Sequence, residues 1–196
     1  MVRAGAGWRS RLDEACAALN DPRIAVWLRV AGLSADEVTL LARGVAQRGH
    51  PRLAIGTSPE NAKAWGYAAV HLSGPARDAA SPSDLAGFGW STCAAHNASE
   101  VAAARALGVH MPLLSPVAEV AHKRLAGLPA PKRAALLAGA GGPLGGLGGV
   151  HPDNALALRR EGFAALATFS AWRADVLDAW LQRPLTEGVA GGSGTR

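Results

Sequence analysis

Short apolar runs alternate with amphipathic stretches along most of the chain. The apolar runs lie at 24–30, 53–55, 68–72, 89–93, 111–115, 143–148 and 164–169. Brief, nearly continuous apolar runs bounded by turn residues are the pattern of strands covered on both faces. The stretches between them carry helix start and stop signals. Helical character covers 8–19. Ser34, with Glu37 three residues on, forms a capping box for a helix reaching about residue 48, where Gly49 is its expected end. Ser58 before Pro59 opens a short helix that Gly66 closes, and Asn97 caps one that ends at Gly108. Helices at 131–138, 152–161 and 174–182 complete the set, with Gly162 closing the second of them.

Seven strands, each near a helix, predict a parallel sheet with crossover helices. Closure of that sheet gives a compact parallel α/β barrel of the TIM (β/α)8 type; an open doubly wound sheet is the other solution. The first strand of an eight-stranded ring is expected to be short or missing, because only the Gly-containing segment 1–7 precedes the first helix. Residues 1–188 are expected to form a single barrel domain and 189–196, rich in Gly and Ser, a disordered tail.

Composition narrows the class. The chain has 196 residues, 49% of them hydrophobic, enough for one sizeable core. Its net charge is +5, but the basic residues are scattered, with no run of four and no interleaved aromatics. Nucleic acid is therefore not an expected partner, and anionic small molecules account for the charge equally well. Cys16 and Cys93 share no spacing motif, which argues against a disulfide framework or a zinc site. No apolar run approaches the roughly 18 residues of a membrane span, and residues 1–7 have no apolar core for a signal peptide. A cytoplasmic location, no membrane and no cofactor are the expectations.

Candidate chemistry concentrates at strand ends. Residues 144–154 read as an apolar, glycine-ended strand, a turn and a helix start, and the next strand ends at Phe169-Ser170. Glycines after a strand free backbone N–H groups for a phosphate, and the last two strands of a parallel barrel commonly hold one. Gly148, Gly149, Phe169 and Ser170 are thus the phosphate-binding candidates. Arg29 ends an apolar strand, where a guanidinium is costly unless it faces the mouth or a partner. Trp27, Arg29, Thr57, His71 and Cys93 form the candidate substrate pocket. His71 also reads as a strand-end histidine satisfied by backbone, and Cys93 as a buried, inert thiol. Trp27 could stack on an aromatic heterocycle. Lys123, His122 and Glu119 follow the strand at 111–115 and are the candidate acid/base and phosphate-pairing groups. A histidine near pH 7 suits proton transfer. No metal ligand set is evident.

Three stretches carry a common signature. Residues 65–72 read Trp-Gly-Tyr-Ala-Ala-Val-His-Leu. The run 95–123 begins Ala-His-Asn-Ala-Ser-Glu-Val, passes through Leu-Gly-Val-His and Ser-Pro-Val, and ends at His122-Lys123. Gly148-Gly149-Val150 is followed by Pro152 and Asn154. In order and spacing, over about residues 26–180, these motifs resemble the thiamine phosphate synthases and the related TenI-type thiazole tautomerases. The resemblance implies a closed parallel barrel, usually dimeric, that handles a thiazole phosphate. It also implies carboxylates for Mg²⁺ where this chain has Gly56-Thr57 and Ser73-Gly74-Pro75-Ala76, and a polar diphosphate-binding triplet where it has Trp27, Arg29 and Ala31. The tautomerase histidine falls on Pro116. The expected function is accordingly that of a TenI-like barrel of thiamine metabolism that binds a thiazole phosphate or similar small phosphate ligand, with metal-independent thiazole tautomerisation, an isomerase reaction, as the favoured chemistry. Its alternatives are a thiamine phosphate synthase (thiamine-phosphate diphosphorylase), a non-catalytic paralogue that binds a phosphate ligand, and a barrel turned to an unrelated substrate.

Overall fold

The computed structural model describes residues 8–30 and 32–168. The expected opening stub at 1–7, Ala31, Phe169, Ser170, the helix at 174–182 and the tail at 189–196 lie outside the described residues.

Seven strands, β1 (Val26–Arg29), β2 (Leu53–Gly56), β3 (Ala69–Leu72), β4 (Trp90–Ala95), β5 (Met111–Leu114), β6 (Gly145–Leu147) and β7 (Ala165–Ala167), pair in strict chain order, every pair parallel. The helices are α1 (Trp8–Ala17), α2 (Ala35–Gly44), α3 (Pro59–Ala64), α4 (Gly74–Ala79), α5 (Pro82–Leu85), α6 (Ala98–Ala106), α7 (Ala130–Ala138) and α8 (Pro152–Arg160). Sequential parallel order with a helix in every crossover is the barrel topology; a doubly wound sheet would reverse its strand order. The result is an α/β barrel whose described strands form a curled half-barrel, with no pairing of β7 to β1 among the described residues.

The helix starts follow the capping chemistry. Ser34 Oγ accepts from the Glu37 N–H at 3.3 Å, and the Glu37 carboxylate accepts from the Ser34 N–H at 2.8 Å. Ser58, Ser73 and Asn97 cap α3, α4 and α6 in the same manner. The end of α2 differs from expectation. It stops at Gly44, because Val45 turns extended to bury its side chain, and Arg48 folds back to donate to the Arg43 and Val45 carbonyls. Gly49 therefore ends nothing. Two short helices, α4 and α5, make the crossover after β3.

Pleating sorts the strand residues into two sets. Val26, Leu28, Leu53, Ile55, Val70, Leu72 and Cys93 join residues of α1, α2, α3, α5 and α6 in one core. Ala95, Leu114, Leu144, Val150, Leu158 and Phe163 form a second with α7 and α8. The alternate positions Trp27, Arg29, Ala54, Gly56, Ala69, His71 and Thr92 form the concave, inner wall.

Candidate functional site

Strand register builds the inner wall row by row. Arg29, Gly56, His71 and Thr92 are consecutive partners across β1 to β4. His71 is 3% exposed, its Nδ1 lies 2.8 Å from Thr92 Oγ1, and its ring stacks on Trp27 at 3.5 Å between centroids. Gly56 makes this arrangement possible: a Cβ there would stand 2.7 Å from Trp27 Nε1. Burial, with the Arg29 charge second, pushes the His71 pKa down to about 3, so the ring is neutral at any ordinary pH.

Thr57 follows Gly56 at the end of β2 and is half-buried. Cys93, expected in the substrate pocket, belongs instead to the core between sheet and helices. It is fully buried among residues such as Leu72 and Leu107, and burial raises its thiol pKa to about 11. The pleat decides this: Cys93 pairs with Leu72 and Pro112, in the outward-facing row.

The turn after β6 is the most constructed feature of the mouth. Gly148 and Gly149 both have left-handed backbones, φ 83° and 69°. A Cβ on Gly149 would stand 2.4 Å from the Glu119 carbonyl oxygen, so only glycine fits beneath the β5–α7 loop. The turn's carbonyls are tied down: the Ala118 N–H donates to Gly148 O at 3.0 Å and Asn154 Nδ2 donates to Gly149 O at 2.7 Å. The Gly149 and Val150 N–H groups have no acceptor among the described residues. They lie just ahead of α8, whose N-terminus adds a positive potential.

The loop at 115–129 begins with a cis Ser115-Pro116 peptide and carries Glu119, His122 and Lys123. Its main chain contacts the glycine turn through Ala118 and Glu119. His122 and Lys123 sit on a single 3-10 turn, Ala121–Lys123. All three side chains are exposed, with no hydrogen bond to a described residue. The structure thus brings the Glu119 backbone to Gly149, while no hydrogen bond or ion pair ties the His122 and Lys123 side chains to the described residues of the turn or the inner wall. Phe169 and Ser170 lie outside the described residues.

The residues at the Mg²⁺ positions of the resembled family do not fit that ion, which needs carboxylate oxygens. Trp27 fills the corner over Gly56. Ser73 is committed to capping α4. Of the nearby acids, Asp78 pairs with Arg77 at 2.8 Å and Asp84 caps α5 at Ser81. Among the described residues no group of three His, Cys, Asp or Glu side chains could hold a metal.

Sequence reasoning missed Thr92 and the role of Gly56, because cross-strand partnership follows from register alone. It also missed Arg77, 8% exposed, which ties α4 to the Ala94 carbonyl and to Glu100.

No family model and no curated protein matches the chain. Solved structures do. A thiamine phosphate pyrophosphorylase from Pyrococcus furiosus superposes with a TM-score of 0.66 at 16% identity, over 86% of this chain and 85% of that one. The thiamine phosphate pyrophosphorylase from Bacteroides thetaiotaomicron gives 0.63 at 17%, over 92% and 89%. A 3-hexulose-6-phosphate synthase gives 0.60 at 17%, over 88% and 91%. At these identities the likeness is one of fold, and the chain is an α/β barrel of the kind these enzymes share.

Proposed function

We propose that this barrel binds a small phosphorylated heterocycle, such as a thiazole phosphate, with its phosphate at the Gly148–Gly149 turn, and that it does so without a metal. The observation that carries this is the turn itself. Two left-handed glycines have their carbonyls fastened from behind, while the Gly149 and Val150 amides ahead of α8 have no acceptor among the described residues. Adjacent amides at a helix start are a ready-made anion site. The fold likeness to proteins named thiamine phosphate pyrophosphorylase, together with the motif order, supports the thiazole half of the ligand.

The reaction class that best suits the residues is proton transfer on the ring, a TenI-like tautomerisation. Displacement of diphosphate is disfavoured, since the expected carboxylates are absent and Trp27 closes the corner where they would work. Glu119, His122 and Lys123 are the acid/base and phosphate-pairing candidates within the mouth loop.

Calorimetric titration with a thiazole phosphate, and with inorganic phosphate, each with and without Mg²⁺, tests the reading. Selective, Mg²⁺-independent binding is expected, weakened about tenfold by Lys123→Ala, or ~1.4 kcal/mol. Absence of binding overturns it. Turnover of a carboxythiazole phosphate separates a tautomerase from a non-catalytic relative.

A further inference from the structure

His71 is a buried titratable group of the inner wall that the phosphate turn does not use. A histidine that serves only as packing has both ring nitrogens satisfied. Here Nδ1 is committed to Thr92, whereas Nε2 has no hydrogen-bond partner among the described residues and is not sealed from solvent. The hydroxyl settles the tautomer. Thr92 is 2% exposed and its hydroxyl makes this one side-chain bond, so its proton is satisfied only by donation to Nδ1. Nε2 then carries the ring hydrogen.

We propose that His71 is a ligand-contacting residue, donating from Nε2–H to a hydrogen-bond acceptor on the ring of the phosphorylated heterocycle. This rests on the reading of the glycine turn as the phosphate site. The side chains and strands around His71 support the role. Trp27 of β1 holds the ring plane by stacking. β2 presents Gly56, which has no side chain to compete. β4 presents Thr92, which fixes the hydrogen. Arg29 of β1 is the charged group facing the ring, and its charge opposes protonation. A neutral donor of this kind stabilises charge developing on a ring acceptor without carrying charge itself.

The test uses ¹⁵N-labelled wild-type protein, whose histidine ring spectra report tautomer and contact directly. His71 is expected as the Nε2–H tautomer from pH 5 to 8. Its Nε2 signal shifts on addition of a thiazole phosphate or of the same thiazole without phosphate, and stays put with inorganic phosphate. Thr92→Val mixes the tautomers and Thr92→Ser restores the single one. His71→Phe, which keeps the stack on Trp27, weakens thiazole phosphate binding tenfold or more and leaves inorganic phosphate affinity unchanged. Protonation of His71 near pH 6.5, or thiazole phosphate binding with an unmoved Nε2, overturns the proposal and leaves the phosphate turn standing. A shift with the phosphate-free thiazole but no binding of either phosphate compound removes the turn reading and leaves His71 in place. Binding of none of the three probes removes both. Should His71→Phe fail to fold, the wild-type spectra decide.

Discussion

His71 sits where a positive charge cannot be tolerated, between an indole, a glycine strand and an arginine. An unfolded histidine takes its proton near pH 6.5, the folded one only at about 3. Between those values the unfolded chain binds more protons, so this contribution to stability is complete above about pH 6.5 and declines as pH falls toward 3. Urea unfolding between pH 6.5 and 5, above most carboxylate titration, should lose about 1.4 kcal/mol per pH unit at most, and His71→Phe should flatten the slope. At Gly149 the limit is steric. Gly108 is also left-handed, φ 83°, but a Cβ there meets nothing within 4 Å. Gly108→Ala should therefore cost only the backbone conformation, about 1–2 kcal/mol. Gly149→Ala must also displace the Glu119 carbonyl, and thermal denaturation should show the larger loss, on the order of 3 kcal/mol.

At the scale of elements, arginines hold the pieces together. Arg52 donates to the Leu19 carbonyl at 2.7 Å and to those of Asp21 and Ile24, fixing the approach to β1. Arg105 reaches the Ala140 and Pro143 carbonyls ahead of β6. Arg133 of α7 grips the Val117 carbonyl at 3.1 Å, the Leu128 carbonyl and the Glu161 carboxylate, so it joins the mouth loop to the end of α8. It is 14% exposed, so its loss strands several acceptors in poorly hydrated positions. Arg133→Ala should lower unfolding free energy by about 2 kcal/mol. Hydrogen exchange of the amides at 117–128 should accelerate with it, and an unchanged exchange pattern would show the loop to be held otherwise. The capping residues of α2, α3 and α6 were legible in the sequence, because a cap is a local pattern. The end of α2 was not, because a buried valine and a returning arginine decided it.

For the whole molecule, the charge of +5 looks different once these bonds are seen. Arg48, Arg52, Arg77, Arg105, Arg133 and Arg159 all donate to main-chain carbonyls of the chain itself. Guanidinium groups engaged this way are not a free basic face. A labelled DNA duplex should accordingly show no anisotropy change at about 0.15 M salt, and salt-sensitive binding there would contradict this account.

The sequence by itself determined the seven strands, their parallel order and most helix starts, since apolar period, caps and glycine stops act over a few residues. It also marked the Gly148–Gly149 turn. Which strand residues face inward, the burial of Cys93, the pairing of His71 with Thr92 and the space that Gly56 leaves for Trp27 were decided by tertiary structure alone. These depend on register between strand residues 15 to 27 positions apart, and a one-residue slip would have exchanged the inner wall for the core.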